Sequence, residues 1–167
     1  MKRSLALCLG ALLLAALPAQ AQEACRLCYS EGQPGERPLT LEIWTDLSFA
    51  RLALLSRSGG SAEVDAQTGG KTTQGDLISL GGAPVTGRGK VTGIPLRQVR
   101  IDLPGRVPMT TPDGASAELV DFTTNLPHRP TLDANGELEF TFGARLVVKD
   151  GRGGNYRGRI PITVDYN

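Results

Sequence analysis

The sequence predicts an all-β protein whose strands pair antiparallel, in a sandwich or a barrel. After residue 38, apolar residues alternate with polar ones in short segments, which is the period of half-buried strands. Turn residues separate these segments, and the chain has 21 Gly and 11 Pro in 167 residues. Many short strands between turns are typical of sandwiches and barrels. No long segment after residue 22 has a helical period. The chain therefore lacks segments that could form the crossover helices that a parallel sheet needs.

Net charge and composition exclude several classes of function. The formal charge is +1, so no overall field attracts nucleic acid or an anionic membrane. Glycine does not recur at every third position, which excludes a collagen-like chain. We therefore expect a globular protein with no nucleic-acid partner.

Residues 1–21 have the pattern of a cleaved export signal. Lys2 and Arg3 precede an apolar run, and Ala19-Gln20-Ala21 has the small-x-small pattern that signal peptidase recognises. The apolar run, residues 4–17, is shorter than the roughly 20 residues that a membrane-spanning helix needs. The residue three places before Cys25 is Gln22, where a lipid-attachment signal has an aliphatic residue. We expect export with no membrane anchor after cleavage.

Residues 22–38 form a short segment without an apolar period, interpreted as an irregular arm before a β-domain at 39–167. The arm contains Cys25 and Cys28, which we interpret as a small disulfide loop formed in an oxidising compartment. Two alternatives stay open: a redox or metal site, and pairing between chains. A thioredoxin-type pair needs a helix N-terminus after a strand, and zinc needs four ligands. We therefore predict no metal and no cofactor.

The first half of the β-domain contains five alternating or apolar segments. Leu39, Leu41 and Ile43 alternate with polar residues, and Trp44 falls on the face opposite to Leu41 and Ile43. Further apolar residues follow at Leu47, Phe49, Leu52 and Leu54. The remaining segments are residues 62–66, 71–74 and 77–80, with a turn at Thr68-Gly69-Gly70-Lys71.

The second half contains a clear strand at 99–103 and two sequence signals for turns. Pro112-Asp113-Gly114 predicts a turn before the apolar residues Val120 and Phe122, which we place on one face. Asn135-Gly136 predicts a hairpin that joins Leu132 to an alternating strand at 138–142. Two glycine–arginine stretches, residues 87–90 and 151–154, are interpreted as turns, because a phosphate-binding glycine loop opens a helix.

The last strand has the most regular alternation. One face carries Tyr156, Gly158, Ile160, Ile162, Val164 and Tyr166. Pro161 has no N–H for a ladder, so we expect a free edge or a local break at that position. The large residues of this face, Tyr156, Ile160, Ile162, Val164 and Tyr166, are the candidates for a strand used in assembly.

Four stretches of this chain resemble one family of exported bacterial proteins. They are the ending 154–167 (GNYRGRIPITVDYN), Asp46-Leu47-Ser48-Phe49, residues 93–104, and residues 138–148 with Phe142-Gly143-Ala144. The family is called domain of unknown function 4402, and the resemblance covers residues 39–167. It implies an immunoglobulin-like β-sandwich, exported by a Gram-negative bacterium to the periplasm or cell surface, with the general architecture of fimbrial subunits and no established activity. A glycine often follows Phe49 in this family, where this chain has Ala50.

Three functions follow as hypotheses. The first is a non-catalytic structural or cell-surface protein, with no catalytic residue. The second is a pilus-type subunit that self-associates by strand donation, aided by an export chaperone. The arm favours this less, since residues 22–38 offer only Leu27 and Tyr29 as large apolar residues. The third is a redox or metal-binding protein centred on Cys25 and Cys28.

Two further candidate sites are interpreted as structural. His128, the only histidine, lies between two prolines in a predicted exposed loop, and a general base needs a partner that the sequence does not show. Residues 133–137 have a faint likeness to a calcium loop, but their spacing differs from that of an EF-hand and a turn explains them.

Overall fold

The computed structural model describes residues 37–149 and 152–167. The predicted signal peptide, residues 22–36 of the predicted arm, Cys25 and Cys28 lie outside these ranges. The described residues contain strands and turns but no helix, and every strand pair is antiparallel, which confirms the all-β prediction. A helix of the length and apolarity needed to cross a membrane is accordingly not found in this part of the chain. The immunoglobulin-like arrangement stays a prediction.

The described residues form eleven strands. They are β1 (Thr40–Thr45), β2 (Leu52–Leu54), β3 (Gly60–Val64), β4 (Lys71–Gly75), β5 (Leu77–Ser79), β6 (Gly87–Thr92), β7 (Val99–Asp102), β8 (Arg106–Thr110), β9 (Ser116–Thr124), β10 (Glu137–Val148) and β11 (Thr163–Tyr166).

Seven strands form one sheet around the twelve-residue strand β10. The order is β1-β6-β10-β3-β4, and β9 pairs with β10 and with β8. The first half of β10 pairs with β6, whereas residues 145–148 pair with β3 and β9 at once. Two smaller sheets, β7 with β11 and β2 with β5, complete the strand pairing.

Two apolar clusters join the large sheet to the smaller ones. In the first cluster, the buried residues Leu119 and Leu146 of the large sheet pack with Leu52 and Leu54 of β2. In the second cluster, Phe140 and Phe142 pack with residues of β7 and β11. Burial of these side chains is the main stabilising term of a fold of this kind.

The prediction of a turn at residues 87–90 is wrong, because these residues belong to β6 in the interior of the large sheet. Gly87 and Gly89 lie directly opposite Phe142 and Phe140 of β10. A Cβ atom at Gly89 would lie 2.8 Å from the ring of Phe140, and one at Gly87 would lie closer still to Phe142. The glycines therefore make room for two buried rings, and they do not turn the chain.

The turns predicted around Gly69, Gly114 and Gly136 are present, but Asn135-Gly136 does not join two strands of a hairpin. Gly136 has a φ of 80°, and its N–H donates to the carbonyl of Asp133, as expected of a turn. The segment before the turn pairs only through a single bridge between Thr131 and Gln98. Pro112-Asp113-Gly114 does connect a hairpin, β8 to β9, and Gly114 has a φ of 83°.

A β-bulge changes the faces of β9. Asp121 has a φ of 49°, and the register of β9 against β10 shifts near it. Ala117 and Leu119 are buried before the bulge, whereas Val120 is only half-buried, and Phe122 packs on the first cluster after it. Val120 and Phe122 therefore do not form the continuous buried face that strict alternation predicted.

The predicted last strand is divided into two paired regions. Arg157 forms a bridge with Thr110, and Thr163–Tyr166 pairs with β7 as β11. No ladder includes residues 158–162, where the sequence predicted a break at Pro161.

Candidate functional site

The described residues form a cleft with a volume of about 810 Å³. It lies between the chain that runs from Asp46 into β2 and the C-terminal segment 152–162. We call it the inter-strand cleft. Both of its walls contain backbone that the large sheet does not pair, so the cleft exposes main-chain groups as well as side chains.

The floor of the inter-strand cleft is the first apolar cluster. Leu119 of β9 and Leu146 and Val148 of β10 contribute aliphatic side chains from the centre of the large sheet. Met109 of β8, which packs on the same cluster, and Phe142 of the second cluster complete the floor. A surface of this composition favours contact with apolar groups, because removing them from water is favourable.

One wall of the cleft is the edge of β2. The N–H of Leu55 donates to the carbonyl of Asp76, and the N–H of Leu80 donates to the carbonyl of Arg51. Polar groups of successive residues alternate between the two edges of an antiparallel strand. The N–H and C=O groups of Leu52 and Leu54 therefore point away from β5, toward the edge that no described strand pairs.

The opposite wall is the C-terminal segment, which β8 holds in place. The N–H of Arg157 donates to the carbonyl of Thr110 at 2.9 Å, and the N–H of Thr110 donates back at 3.0 Å. A Cβ at Gly158 would overlap Met109, so this glycine allows the segment to lie against β8. Tyr156 donates its hydroxyl proton to the carbonyl of Arg152 at 2.7 Å.

Hydrogen bonds hold the loop before β2 in position. Ser48 and Val85 exchange two backbone hydrogen bonds of 2.8 Å, and the ammonium group of Lys71 donates to the carbonyl of Phe49 at 3.1 Å. Ala50, which lines the cleft, has a φ of 55°. This left-handed conformation is costly for a residue with a Cβ and suits glycine.

The charged groups of the cleft lie at its rim. Arg152, Arg157 and Arg159 are exposed along the C-terminal segment, and Asp46 is exposed near the opposite wall. Arg157 and Arg159 form no salt bridge with any described residue. The rim is therefore positively charged above an apolar floor.

The cleft separates the five residues predicted as an assembly strand. Tyr156, Ile160 and Ile162 line the cleft. Val164 and Tyr166 instead pack on the second cluster, where the hydroxyl of Tyr166 donates to the carbonyl of Arg37 and accepts from the N–H of Ile94, both at 2.8 Å. The alternation predicted that these side chains share one face, but it does not reveal that this face crosses from one cluster to the other.

Other candidate residues lie away from the cleft. His128 is exposed in the loop between β9 and β10, and residues 37–149 and 152–167 hold no group of three side chains arranged for a metal ion. Trp44 is 53% exposed, and the ammonium group of Lys90 lies 5.6 Å from its ring. Cys25 and Cys28 are outside the described residues.

The acidic residues of the turns stabilise local backbone. Asp65 accepts hydrogen bonds from the N–H and hydroxyl groups of Thr68, each at 2.7 Å, which lower its pKa. Asp133, in the segment with a likeness to a calcium loop, accepts from the N–H groups of Glu137 and Asn135, both at 2.8 Å, and these bonds likewise lower its pKa. Both carboxylates thus act as turn caps.

Sequence reasoning missed the cleft itself. The apolar residues Leu47, Phe49, Leu52 and Leu54 were recognised as core material, but their sequence carries no signal that a neighbouring strand is absent beside them.

Comparison with known proteins identifies the family without indicating an activity. The model of the family described as domain of unknown function 4402 matches residues 39–166. No curated protein matches this chain, and no solved structure matches it. The chain therefore belongs to the family domain of unknown function 4402.

Proposed function

We propose that this protein is an exported, non-catalytic β-sandwich protein with a structural or cell-surface role, which it performs by binding through the inter-strand cleft. The observation that carries the proposal is the composition of the cleft, with aliphatic and aromatic side chains on the floor, strand backbone at the walls and arginines at the rim. Such a surface supplies apolar area and backbone hydrogen-bonding groups, both of which contribute to the binding of proteins and peptides.

We expect binding at this surface and no catalysis. Acid–base or nucleophilic catalysis depends on a titratable side chain within hydrogen-bond distance of a reacting group, held by a second polar group. The described lining of the cleft contributes the carboxylate of Asp46, the hydroxyls of Ser48 and Tyr156, and arginines that stay protonated. The hydroxyl of Ser48 accepts from the N–H of Ala50, and that of Tyr156 donates to the carbonyl of Arg152, so both bond to local backbone. This composition supports a binding role over turnover.

Export is tested by expressing the full chain in a Gram-negative host and separating periplasm from cytoplasm. We expect the protein in the periplasm or medium, with Gln22 as its first residue when the mature chain is sequenced. A matched variant, Ala19→Arg with Ala21→Arg, should stay unprocessed because it removes the small residues of the cleavage site. Unprocessed wild-type protein in the cytoplasm would refute export.

The same purified protein tests the cysteine hypotheses. Thiol titration after denaturation should find no free thiol, and elemental analysis should find no metal, if Cys25 and Cys28 form a disulfide loop. Two free thiols with one equivalent of metal would instead support the redox or metal-binding alternative.

A second candidate function is that of a subunit in a fimbria-like assembly. The observation that favours it is the free edge of β2 beside an apolar floor, which a strand of another subunit could cover. Size-exclusion chromatography of the mature protein over a hundredfold range of concentration tests this function. Oligomers that grow with concentration support assembly, and a monomer throughout the range contradicts it.

A further inference from the structure

We propose that the inter-strand cleft is a slot for one extended strand of a partner protein, with apolar side chains at alternate positions and acidic residues at its ends. The inference rests on the binding role proposed above and names the ligand of the same cleft. It concerns the folded domain alone, so its test does not depend on whether the protein is exported.

The backbone groups of β2 are directed toward the cleft. Leu52 and Leu54 point their N–H and C=O groups away from β5, toward the cleft, while their side chains pack on the first cluster. A strand placed along this edge would accept and donate hydrogen bonds at both residues. Small molecules seldom match a row of strand backbone groups at this spacing, whereas another strand does.

The opposite wall also directs backbone groups toward the cleft. The backbone of Arg157 bonds to Thr110 of β8, so by alternation the polar groups of Gly158 point away from β8, toward the cleft it lines. The cleft thus lies between strand-like backbone on both sides, above β9 and β10. An added strand would fill the interval in the layer that covers the large sheet.

The volume of the cleft matches that of a short strand. Strands rise about 3.4 Å per residue, lie about 4.8 Å apart and pack in layers about 10 Å apart, so one strand residue fills roughly 160 Å³ of a layer. The cleft volume of about 810 Å³ therefore corresponds to roughly five strand residues. A strand of that length places its first, third and fifth side chains on the floor formed by Leu119, Leu146 and Val148.

The arginines at the rim of the cleft favour a strand with acidic residues at its ends. Among the described residues that line the cleft, the rim carries Arg152, Arg157 and Arg159 and one carboxylate, that of Asp46. Arg157 and Arg159 have no salt-bridge partner among the described residues, so acidic groups of a ligand can approach them without displacing another carboxylate. Complementary charge at a rim increases the association rate and selects among partners.

The direct test is binding of a labelled peptide to the mature protein, measured by fluorescence anisotropy. The probe has the sequence Glu-Glu-Leu-Thr-Leu-Thr-Leu-Glu-Glu, and its control carries N-methyl groups on alternate backbone nitrogens of the central five residues. We expect saturable binding of the probe and binding at least about tenfold weaker for the control, because methylation removes the hydrogen-bond donors and leaves the side chains unchanged.

Amide exchange locates the strand. Bound probe should slow exchange at Leu52 and Leu54, whose N–H groups face the cleft, and leave Ala53 unchanged, because its N–H group already faces β5. This alternation distinguishes a paired strand from an apolar ligand that merely fills the cleft, which would not protect alternate residues.

Two pairs of variants test the side chains. Leu54→Asp should weaken binding about tenfold or more, whereas Leu55→Asp, at the neighbouring residue that is 67% exposed and outside the cleft, should bind as the wild type does. If Leu54→Asp does not fold, the surface variant R157E/R159E still tests the proposal. It should prefer a probe with lysine ends, and the control Arg88→Glu, on β6, should not.

Three results would overturn the proposal. The first is absence of probe binding to the wild-type protein, and the second is equal affinity for the probe and the N-methylated control. The third is a stable dimer of the mature protein in which Leu52 and Leu54 are already protected without probe, since that result assigns the cleft to a second copy of the chain. A periplasmic protein that fails these tests would leave the export part of the proposed function intact.

Discussion

Replacement of Gly89 by alanine tests the explanation for the glycines of β6. Ordinary contacts between carbon atoms lie at about 3.5–4.0 Å. A Cβ at Gly89 would lie 2.8 Å from two ring atoms of Phe140 and 3.1 Å from Ile43. The overlap with the ring is therefore about 0.7–1.2 Å. Ile43 is 43% exposed and can move away, but Phe140 is 2% exposed and has packed neighbours on all sides.

The expected cost of Gly89→Ala is about 1–2 kcal/mol. Overpacking of a buried site costs about 1–3 kcal/mol, and the smaller conformational freedom of alanine in the unfolded chain offsets about 0.4–1 kcal/mol of that. With a urea m-value of about 2 kcal/mol/M, the midpoint of unfolding should fall by roughly 0.5–1 M. The measurement is urea unfolding of the mature protein, followed by far-ultraviolet circular dichroism.

The control and the double variant make the test specific to the ring. Gly105→Ala adds a Cβ with no atom within 4 Å, so its midpoint should stay equal or rise. Phe140→Leu alone should cost about 2 kcal/mol of buried apolar surface, and the combination with Gly89→Ala should cost at least about 1 kcal/mol less than the sum. Equal midpoints for Gly89→Ala and Gly105→Ala, or strict additivity in the double variant, would refute the reasoning.

Three further predictions concern single side chains. Ala50→Gly should raise the free energy of unfolding by about 0.5–1 kcal/mol, since it relieves a φ of 55°, and a lower value in urea unfolding would contradict the strain. Tyr166→Phe should lower it by about 1–2 kcal/mol, because the hydroxyl bonds both Arg37 and Ile94, and an unchanged melting temperature would argue against these bonds. The pKa of Asp65 lies below its ordinary value of 3.8, so its contribution to stability is present above the pKa of the unfolded chain and is lost as pH falls through the folded value. The melting temperature of Asp65→Asn should therefore fall less than that of the wild type below about pH 4. Equal decreases in the two proteins over that range would contradict this prediction.

The sequence predicted the strand class and most turns because alternation and turn residues act locally. The turn at Thr68-Gly69-Gly70 follows β3 as expected, and Gly114 and Gly136 adopt the positive φ that their turns need. The regularity of 156–166 also indicated which side chains face the core. In these segments the pattern of residues and the tertiary packing favour the same conformation.

The failures arose where a distant residue decides the conformation. Gly87 and Gly89 were interpreted as turn residues because nothing near them in sequence indicates Phe142 and Phe140, which lie about fifty residues later and need their space. The bulge at Asp121 likewise depends on pairing with β10. The inter-strand cleft is harder still to predict, because its two walls, the chain from Asp46 into β2 and the segment 152–162, lie far apart in sequence.

The position of β10 in the chain has a consequence for the order of events during folding. The strand that pairs with β3, β6 and β9 is the tenth of eleven, so those three strands cannot gain their common neighbour until residue 148 is available. Pairings between residues so far apart in sequence close large loops, and such folds form slowly. A chain threaded through a narrow pore from its N-terminus would thus be unable to complete the large sheet until nearly all of the described sequence had passed through.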